Sequence, residues 1–349
     1  MSIKFSINKR EIGSEFPPYV IAELSANHNG DIDRAKKIIL EAKKAGADAV
    51  KLQTYEADTI TMKCSRPEFM INEGLWKGYT LHDLYKWAET PYSWHKELFE
   101  YAEENNITCF STPFDESAVD LLEDINTPAY KIASFEIIDL PLIEYVASTH
   151  KPMILSTGMA SPDEIKEAVD IAHQSGCNQL ALLHCVSGYP VPIEQSNLRV
   201  IEDLATKYNV ISGLSDHTLG MLIPSVAIAM GACIIEKHVT LSREEKGPDS
   251  EFSIEPAELK ELCRNVKYSW ESLGSITYEL MPSEISNKAY RRSLYVTKPI
   301  KAGEILTNVN VRSIRPGYGL DPKYFKDVIG KNARVDIETG TPLNWDYIE

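Results

Sequence analysis

Two histidines end apolar runs in the second half of the chain, His217 in GLSDHT and His238 in IEKHV. Imidazoles at two neighbouring strand ends can hold a divalent cation, with water and substrate oxygens filling the other positions. Two hydrogen-bonded structural histidines fit the same residues, and both readings are open at this level. Strand alternation puts Glu236 on the face of His238, as a further ligand or as the group that orients the imidazole. Lys51 in AVKLQ and Lys131 in AYKIAS lie inside apolar runs, where a solvated lysine is unexpected. With the hydroxyls of Ser134, Ser156 and Ser215, two ammonium groups suit a small phosphorylated, carboxylated substrate. Lys131 also allows a different chemistry, a Schiff base with a carbonyl substrate. Glu23, at the end of the first long apolar run, is a candidate general acid or base.

These groups work together only if the fold brings them to one rim. From Tyr19 to about Gly274, short apolar runs alternate with amphipathic stretches, the pattern of repeated strand and helix units. Eight strands are predicted: Tyr19 to Leu24, Ala49 to Gln53, Thr108 to Thr112, Ala129 to Ser134, Pro152 to Thr157, Leu180 to Cys185, Val210 to Asp216 and Cys233 to Val239. Their number and the length they span match a parallel (β/α)8 TIM barrel of the α/β class, whose working residues gather at the C-terminal strand ends. Glu23, Lys51, Lys131, Ser134, Ser156, Ser187, Ser215, His217, Glu236 and His238 all lie at or just past such ends. A doubly wound open sheet is the alternative, disfavoured because no G-x-G-x-x-G follows the first strand. After residues 1–275 the pattern changes. Residues 276–290 read as a polar connector, and residues 291–349 as a small β-rich domain with K-A-G-E and E-T-G-T turns. Alone it is too small to be strongly stable, so docking on a partner surface is expected.

Composition narrows the partners. The 349 residues are 43% hydrophobic and carry 36 Lys and Arg against 51 Asp and Glu, a net charge of -15. Such a surface repels a phosphate backbone, and no basic run relieves it, so neither nucleic acid nor an anionic membrane is an expected partner. The six cysteines form no C-x-x-C pair and no zinc or disulfide spacing. No signal peptide or membrane-spanning run is apparent, and a cytoplasmic location is the expectation.

The motifs IAELSANHNG, KLQTY, FSTPFD, YKIASFE, STGM, GLSDHTLG, IEKHVTL and GPDSEFS, with RRSLY, KAGE and IRPGYG in the tail, resemble the sialic acid synthase family over nearly the whole chain. The resemblance implies a TIM barrel joined to an antifreeze-like SAF (β-clip) domain, in a homodimer where each SAF domain caps the partner's barrel. It further implies condensation of phosphoenolpyruvate with an amino sugar, helped by a divalent Mn2+ or Mg2+ ion on His217 and His238. Lys51, Lys131, Ser134, Ser156 and Ser215 would bind phosphoenolpyruvate, and Glu23 would be the acid/base group. Tyr189, Asp249 and Arg315 would meet the sugar, Arg315 reaching into the partner's site. The stretch Asn72 to Phe99 is similar to the branch that makes pseudaminic acid from 2,4-diacetamido-2,4,6-trideoxy-L-altrose. Ser187 stands where the N-acetylneuraminate branch usually has asparagine, a further departure from that branch. Trp76, Trp87 and Trp94, with Tyr79, Tyr85 and Tyr92, could wall a sugar site or pack a helix or dimer contact. The alternatives are N-acetylneuraminate synthesis from N-acetylmannosamine and a noncatalytic sugar-binding or ice-binding protein.

Overall fold

The computed structural model describes residues 3–349. The chain opens with an antiparallel hairpin of β1 (Phe5–Ile7) and β2 (Arg10–Ile12). Eight parallel strands follow: β3 (Tyr19–Glu23), β4 (Ala49–Thr54), β5 (Thr108–Pro113), β6 (Tyr130–Ile132), β7 (Met153–Ser156), β8 (Leu180–Cys185), β9 (Ile211–Asp216) and β10 (Ile234–His238). They pair in chain order, and β10 returns to β3 to close the barrel. The expected fold class is borne out. Seven of the expected strands agree to within a residue at each end. The exception is β6, which stops at Ile132, and Ser134 opens a 3-10 turn, Ser134–Glu136.

Barrel strands are buried on both faces and so read as continuous apolar runs. Val20, Ala22, Val50 and Leu52 face outward, packing on the helices Ile32–Ala45 and Pro256–Leu273. Tyr19, Ile21, Ala49, Ile154, Leu183, Ile211 and Ile234 fill the interior, and Phe5, Ile7 and Ile12 of the hairpin join that layer. The same period of two continues along each strand. It carries Tyr19 and Ile21 on to Glu23, Ala49 to Lys51, Ile154 to Ser156, Ile211 to Ser215, and Ile234 to Glu236 and His238. The interior is therefore apolar at the strand starts and ionic at the strand ends.

Caps stop the helices where the loops must begin. Asp31 accepts from the Asp33 and Arg34 amides at the start of Ile32–Ala45. Ser161 and Glu164 form a capping box ahead of Pro162–Gln174.

The contacts divide the chain into two compact units, one ending at Gly274 and the other spanning Ser275–Glu349. The second holds 3-10 turns at Pro282–Glu284 and Ser286–Tyr290 and a two-stranded ladder of β11 (Ser293–Val296) with β12 (Val311–Ile314). Leu294, Val296, Ile300, Leu306, Val311 and Leu343 centre its small core. A Cβ on Gly319 would strike the Leu294 and Leu343 backbones, so only glycine allows that chain crossing. Among the described residues, no helix is long and apolar enough to cross a membrane.

Candidate active site

Parallel register sets His238 beside Glu23, and Glu23 beside Lys51, across adjacent inward-facing positions. Glu23 Oε2 lies 2.6 Å from Lys51 Nζ, and Gln53 Nε2 donates to Glu23 Oε1 at 3.3 Å. Lys51 also donates to Thr112 Oγ1 at 3.0 Å and stands 3.7 Å from Glu236 Oε2. Glu236 Oε1 accepts from Ser215 Oγ at 2.9 Å and lies 3.9 Å from Lys131 Nζ. Lys131 in turn donates to Ser156 Oγ at 2.6 Å and to the Ile132 carbonyl at 3.0 Å. Two carboxylates and two ammonium groups thus form one web, every member at most 5% exposed.

Burial and neighbouring charge compete at each group. Burial pushes the Glu23 carboxyl up to about 7, against the pull of Lys51. For Glu236, burial is outweighed by Lys131 and Lys51, which hold it below the ordinary range. Burial also opposes the Lys51 ammonium, but Glu23 and Glu236 overcome it and raise its pKa. Lys131 has less acidic company, and burial pulls it down.

A second group of hydroxyls borders this web. Ser134 Oγ accepts from the Gly158 amide at 3.1 Å. A Cβ on Gly158 would collide with both Ser134 Oγ and Ser187 Oγ, so the glycine keeps open the space where the two hydroxyls converge. Ser187 Oγ is buried and has no hydrogen-bond partner among the described residues. Lys131, Ser134, Ser156 and Ser187 together offer the donors that a phosphate or carboxylate needs.

His217 and His238 lie side by side with ring centroids 5.4 Å apart. His217 Nδ1 donates to the Val186 carbonyl at 3.0 Å, which leaves Nε2 as the free lone pair. His238 Nδ1 is buried and has no hydrogen-bond partner among the described residues, and burial holds its pKa well below the ordinary value. Burial opposes a charge on His217, but the nearby Cys185 outweighs it and raises the pKa of that ring. Once His217 gives up its proton, the two imidazoles fit a divalent cation that takes its other ligands from water and substrate. Among the described residues there is no group of three or more His, Cys, Asp and Glu side chains set to bind a metal. Glu236 in particular turns to the lysines and Ser215, not to the imidazoles, because Lys131 and Lys51 attract it more strongly than His217 does.

Tyr189 leans on His217 at 4.4 Å, and Phe252 lies 4.9 Å from both Tyr189 and His238. Asp249 Oδ2 accepts from Ser25 Oγ at 2.5 Å and from the Ala26 amide at 3.4 Å, which ties the loop after β10 to the end of β3. Sequence reasoning missed Thr112, Phe252 and Cys185, whose Sγ lies 3.8 Å from His217 Nδ1. Strand alternation from Phe110 and Leu183 could have found Thr112 and Cys185, whereas Phe252 looks like any core aromatic. Arg315 belongs to the second unit, where it is exposed and makes no ion pair among the described residues. A large cavity of about 1050 Å3 opens near the N-terminal end of β5, lined by Lys9, Asp48, Glu100 and Asp124, and holds none of these site residues.

The NeuB family model matches residues 38–278 and the SAF domain model residues 291–349. A pseudaminic acid synthase of Campylobacter jejuni is 43% identical over 93% of this chain and 95% of its own length. A pseudaminic acid synthase of Helicobacter pylori is 42% identical over 95% of this chain and 98% of its own. Among solved structures, an N-acetylneuraminic acid synthetase from Leptospira borgpetersenii superposes with a TM-score of 0.74 at 36% identity, covering 82% of this chain and 95% of its own. The family resemblance read from the barrel and tail motifs is borne out: the chain belongs to the NeuB family and carries a C-terminal SAF domain.

Proposed function

We propose that the protein is a pseudaminic acid synthase, condensing phosphoenolpyruvate with 2,4-diacetamido-2,4,6-trideoxy-L-altrose and water to give pseudaminic acid and phosphate. The observation that carries this reading is the buried web of Lys51 and Lys131 beside two imidazoles on one rim, in a chain 43% identical to a pseudaminic acid synthase. In the reaction the enol methylene carbon bonds to the aldehyde carbon, water adds at C2, and the bond from C2 to the phosphate oxygen breaks.

Lys131, with Ser134 and Ser156, binds the phosphate end, while Lys51 and Ser215 meet the carboxylate end. The dianionic ligand also offsets the ammonium charge that burial opposes on Lys131. Glu23, whose pKa burial raises to about 7, can hold or release a proton near neutral pH at the edge where the sugar enters. A divalent ion, Mn2+ or Mg2+, held by His217 and His238 would polarise the aldehyde oxygen. Tyr189 and Asp249 line the sugar side. Holding both reactants on a single rim supplies much of the remaining acceleration.

Exposed apolar side chains follow four consecutive strands: Phe135 after β6, Met159 after β7, Ile193 after β8 and Leu219 after β9. Such a collar supports coverage of the mouth by a second chain, as in a homodimer whose Arg315 reaches the partner's sugar site. The absence of a membrane-spanning helix among the described residues is compatible with a cytoplasmic enzyme. The deciding experiment feeds phosphoenolpyruvate and Mn2+ with either the trideoxy sugar or N-acetylmannosamine and follows phosphate release. Turnover of the trideoxy sugar is expected, and exclusive use of N-acetylmannosamine would overturn the reading in favour of N-acetylneuraminate synthesis.

A further inference from the structure

The insert between β4 and β5 brings one of the six tryptophan and tyrosine rings of residues 72–99 against the aromatic wall beside the imidazoles and sends the others to different neighbours. Trp94 packs into the core between barrel and helices and meets His28 edge-on. Trp87 stacks on Tyr79, Tyr85 meets Tyr55, and Tyr92 meets His95. Trp76 alone among these six rings lies against Tyr189 and Phe252, the rings that touch the imidazoles. Its centroid lies 5.8 Å from Tyr189 and 6.5 Å from Phe252.

Its position is held from two sides. The Met70 and Thr80 bridge closes the loop, with Ile71 donating to the Tyr79 carbonyl and Gly78 to the Ile71 carbonyl, both at 2.9 Å. Gly74 and Gly78, at φ of 79° and 96°, let the chain turn back so tightly. At the tip, Trp76 Nε1 donates to the Pro248 carbonyl at 2.8 Å, one residue before Asp249. With its only donor so used, the half-buried indole offers apolar surface alone.

The rings are ordered in depth. Tyr189 and Phe252 contact the imidazoles, whereas Trp76 contacts Tyr189 and Phe252 but neither histidine. A sugar with its aldehyde carbon at His217 and His238 therefore meets Tyr189 and Phe252 with its first carbons. Its far end, extended along the same wall, comes to Trp76. We propose that Trp76 is a specificity-determining residue that selects an acceptor sugar whose terminal carbon is a methyl group over one bearing a C6 hydroxyl. This rests on the condensation reading above and adds to it the part of the sugar that the insert reads. A C6 hydroxyl against the indole face would give up its water without gaining a partner, since the ring nitrogen is already bonded to Pro248.

The test compares two acceptors that differ only at C6, the 2,4-diacetamido-2,4,6-trideoxy sugar and its 6-hydroxy counterpart, by kcat/KM in the full-length wild type, Trp76→Ala, Trp76→Phe and Trp87→Ala. The wild type is expected to favour the methyl sugar by roughly 10- to 100-fold, the range a pocket of this kind can reach. Trp76→Ala should bring the ratio close to one, with KM for phosphoenolpyruvate unchanged. Trp76→Phe should keep most of the preference, and Trp87→Ala all of it. An unchanged ratio in a Trp76→Ala enzyme that still turns over the trideoxy sugar overturns this inference alone. Wild-type enzyme that condenses neither sugar overturns the condensation reading along with it.

Discussion

Glu23 and Lys51 face each other across β3 and β4 with Oε2 and Nζ 2.6 Å apart, and both are almost wholly buried. An ion pair so enclosed is poor evidence for stability, because desolvating both charges costs about as much as their attraction returns. Its value lies in a proton held near neutrality. Burial lifts Glu23 to about 7 while Lys51 opposes the lift, so small changes in bound charge move the group between its two states. Glu23→Gln keeps the side-chain shape and removes the proton. It should lower kcat by roughly 10²- to 10⁴-fold and erase the limb of the pH profile of kcat near 7. A variant with the wild-type profile would exclude Glu23 as the acid/base group.

Lys131 makes its hydrogen bonds to a hydroxyl and a carbonyl, and its acidic neighbour is 3.9 Å away. Most of its charge is therefore left for a ligand. Lys131→Met should raise KM for phosphoenolpyruvate by about 10- to 100-fold, the worth of a charge-assisted hydrogen bond, and leave KM for the sugar nearly unchanged. Equal rises in both would point to a general collapse of the rim. Borohydride trapping of a substrate on Lys131 would favour a Schiff-base aldolase instead.

The imidazole pair makes a prediction that does not depend on turnover. Titration calorimetry of the metal-free protein with Mn2+ should show one site per chain, and His217→Ala or His238→Ala should abolish it. EDTA should stop the reaction, with Mn2+ or Mg2+ restoring it. Full activity in the chelator, or unaltered Mn2+ binding by both variants, would remove the metal from the account.

The barrel was legible in the sequence because the strands are apolar runs, buried on both faces, and several of them end in a polar residue where they surface at the rim. Glu23, Ser156 and His238 mark such ends. The hairpin Phe5–Ile7 and Arg10–Ile12 was not legible, since strands of three residues leave too short a pattern to detect. Alternation correctly put Glu236 on the face of His238, but it could not say that two lysines from other strands would draw the carboxylate away. The insert was the least readable part. Trp76, Trp87 and Trp94 have similar neighbours in sequence, and only the tertiary structure sends one to the core, one to a surface stack and one to the mouth.

His95 links the helix Tyr92–Glu104 to the barrel wall, with Nε2 2.8 Å from Thr54 Oγ1 and Nδ1 3.1 Å from the Pro91 carbonyl. Burial pushes its pKa down to about 4, so the folded protein takes up a proton there less readily than the unfolded chain. The stability this contributes is fully present above about 6.5 and is lost as pH falls through 4. Glu23 and Glu136, raised by burial to about 7, act in the opposite sense, their contribution being lost as pH rises through 7. The difference between wild type and His95→Gln isolates the histidine. Glutamine should be less stable at pH 8 by about 1–3 kcal/mol, and this gap should shrink by about 2 kcal/mol at pH 5. A gap that stays constant in thermal melts at the two pH values would exclude a neutral buried His95.

Arg315 is exposed beyond the end of β12, and among the described residues no carboxylate pairs with it, so its guanidinium is available to a ligand. If it serves the site of a second chain, an Arg315→Ala chain has an intact barrel but lacks the arginine its partner needs. A Glu23→Gln chain has the arginine and a dead barrel. Each homodimer should then be nearly inactive, whereas co-refolding equal amounts makes mixed dimers with one whole site each. Random pairing gives half mixed dimers, and activity should return to about a quarter of the wild-type value. If each arginine served its own chain, no site in a mixed dimer would be whole, and the mixture would stay as inactive as its components even with mixed dimers verified by mass.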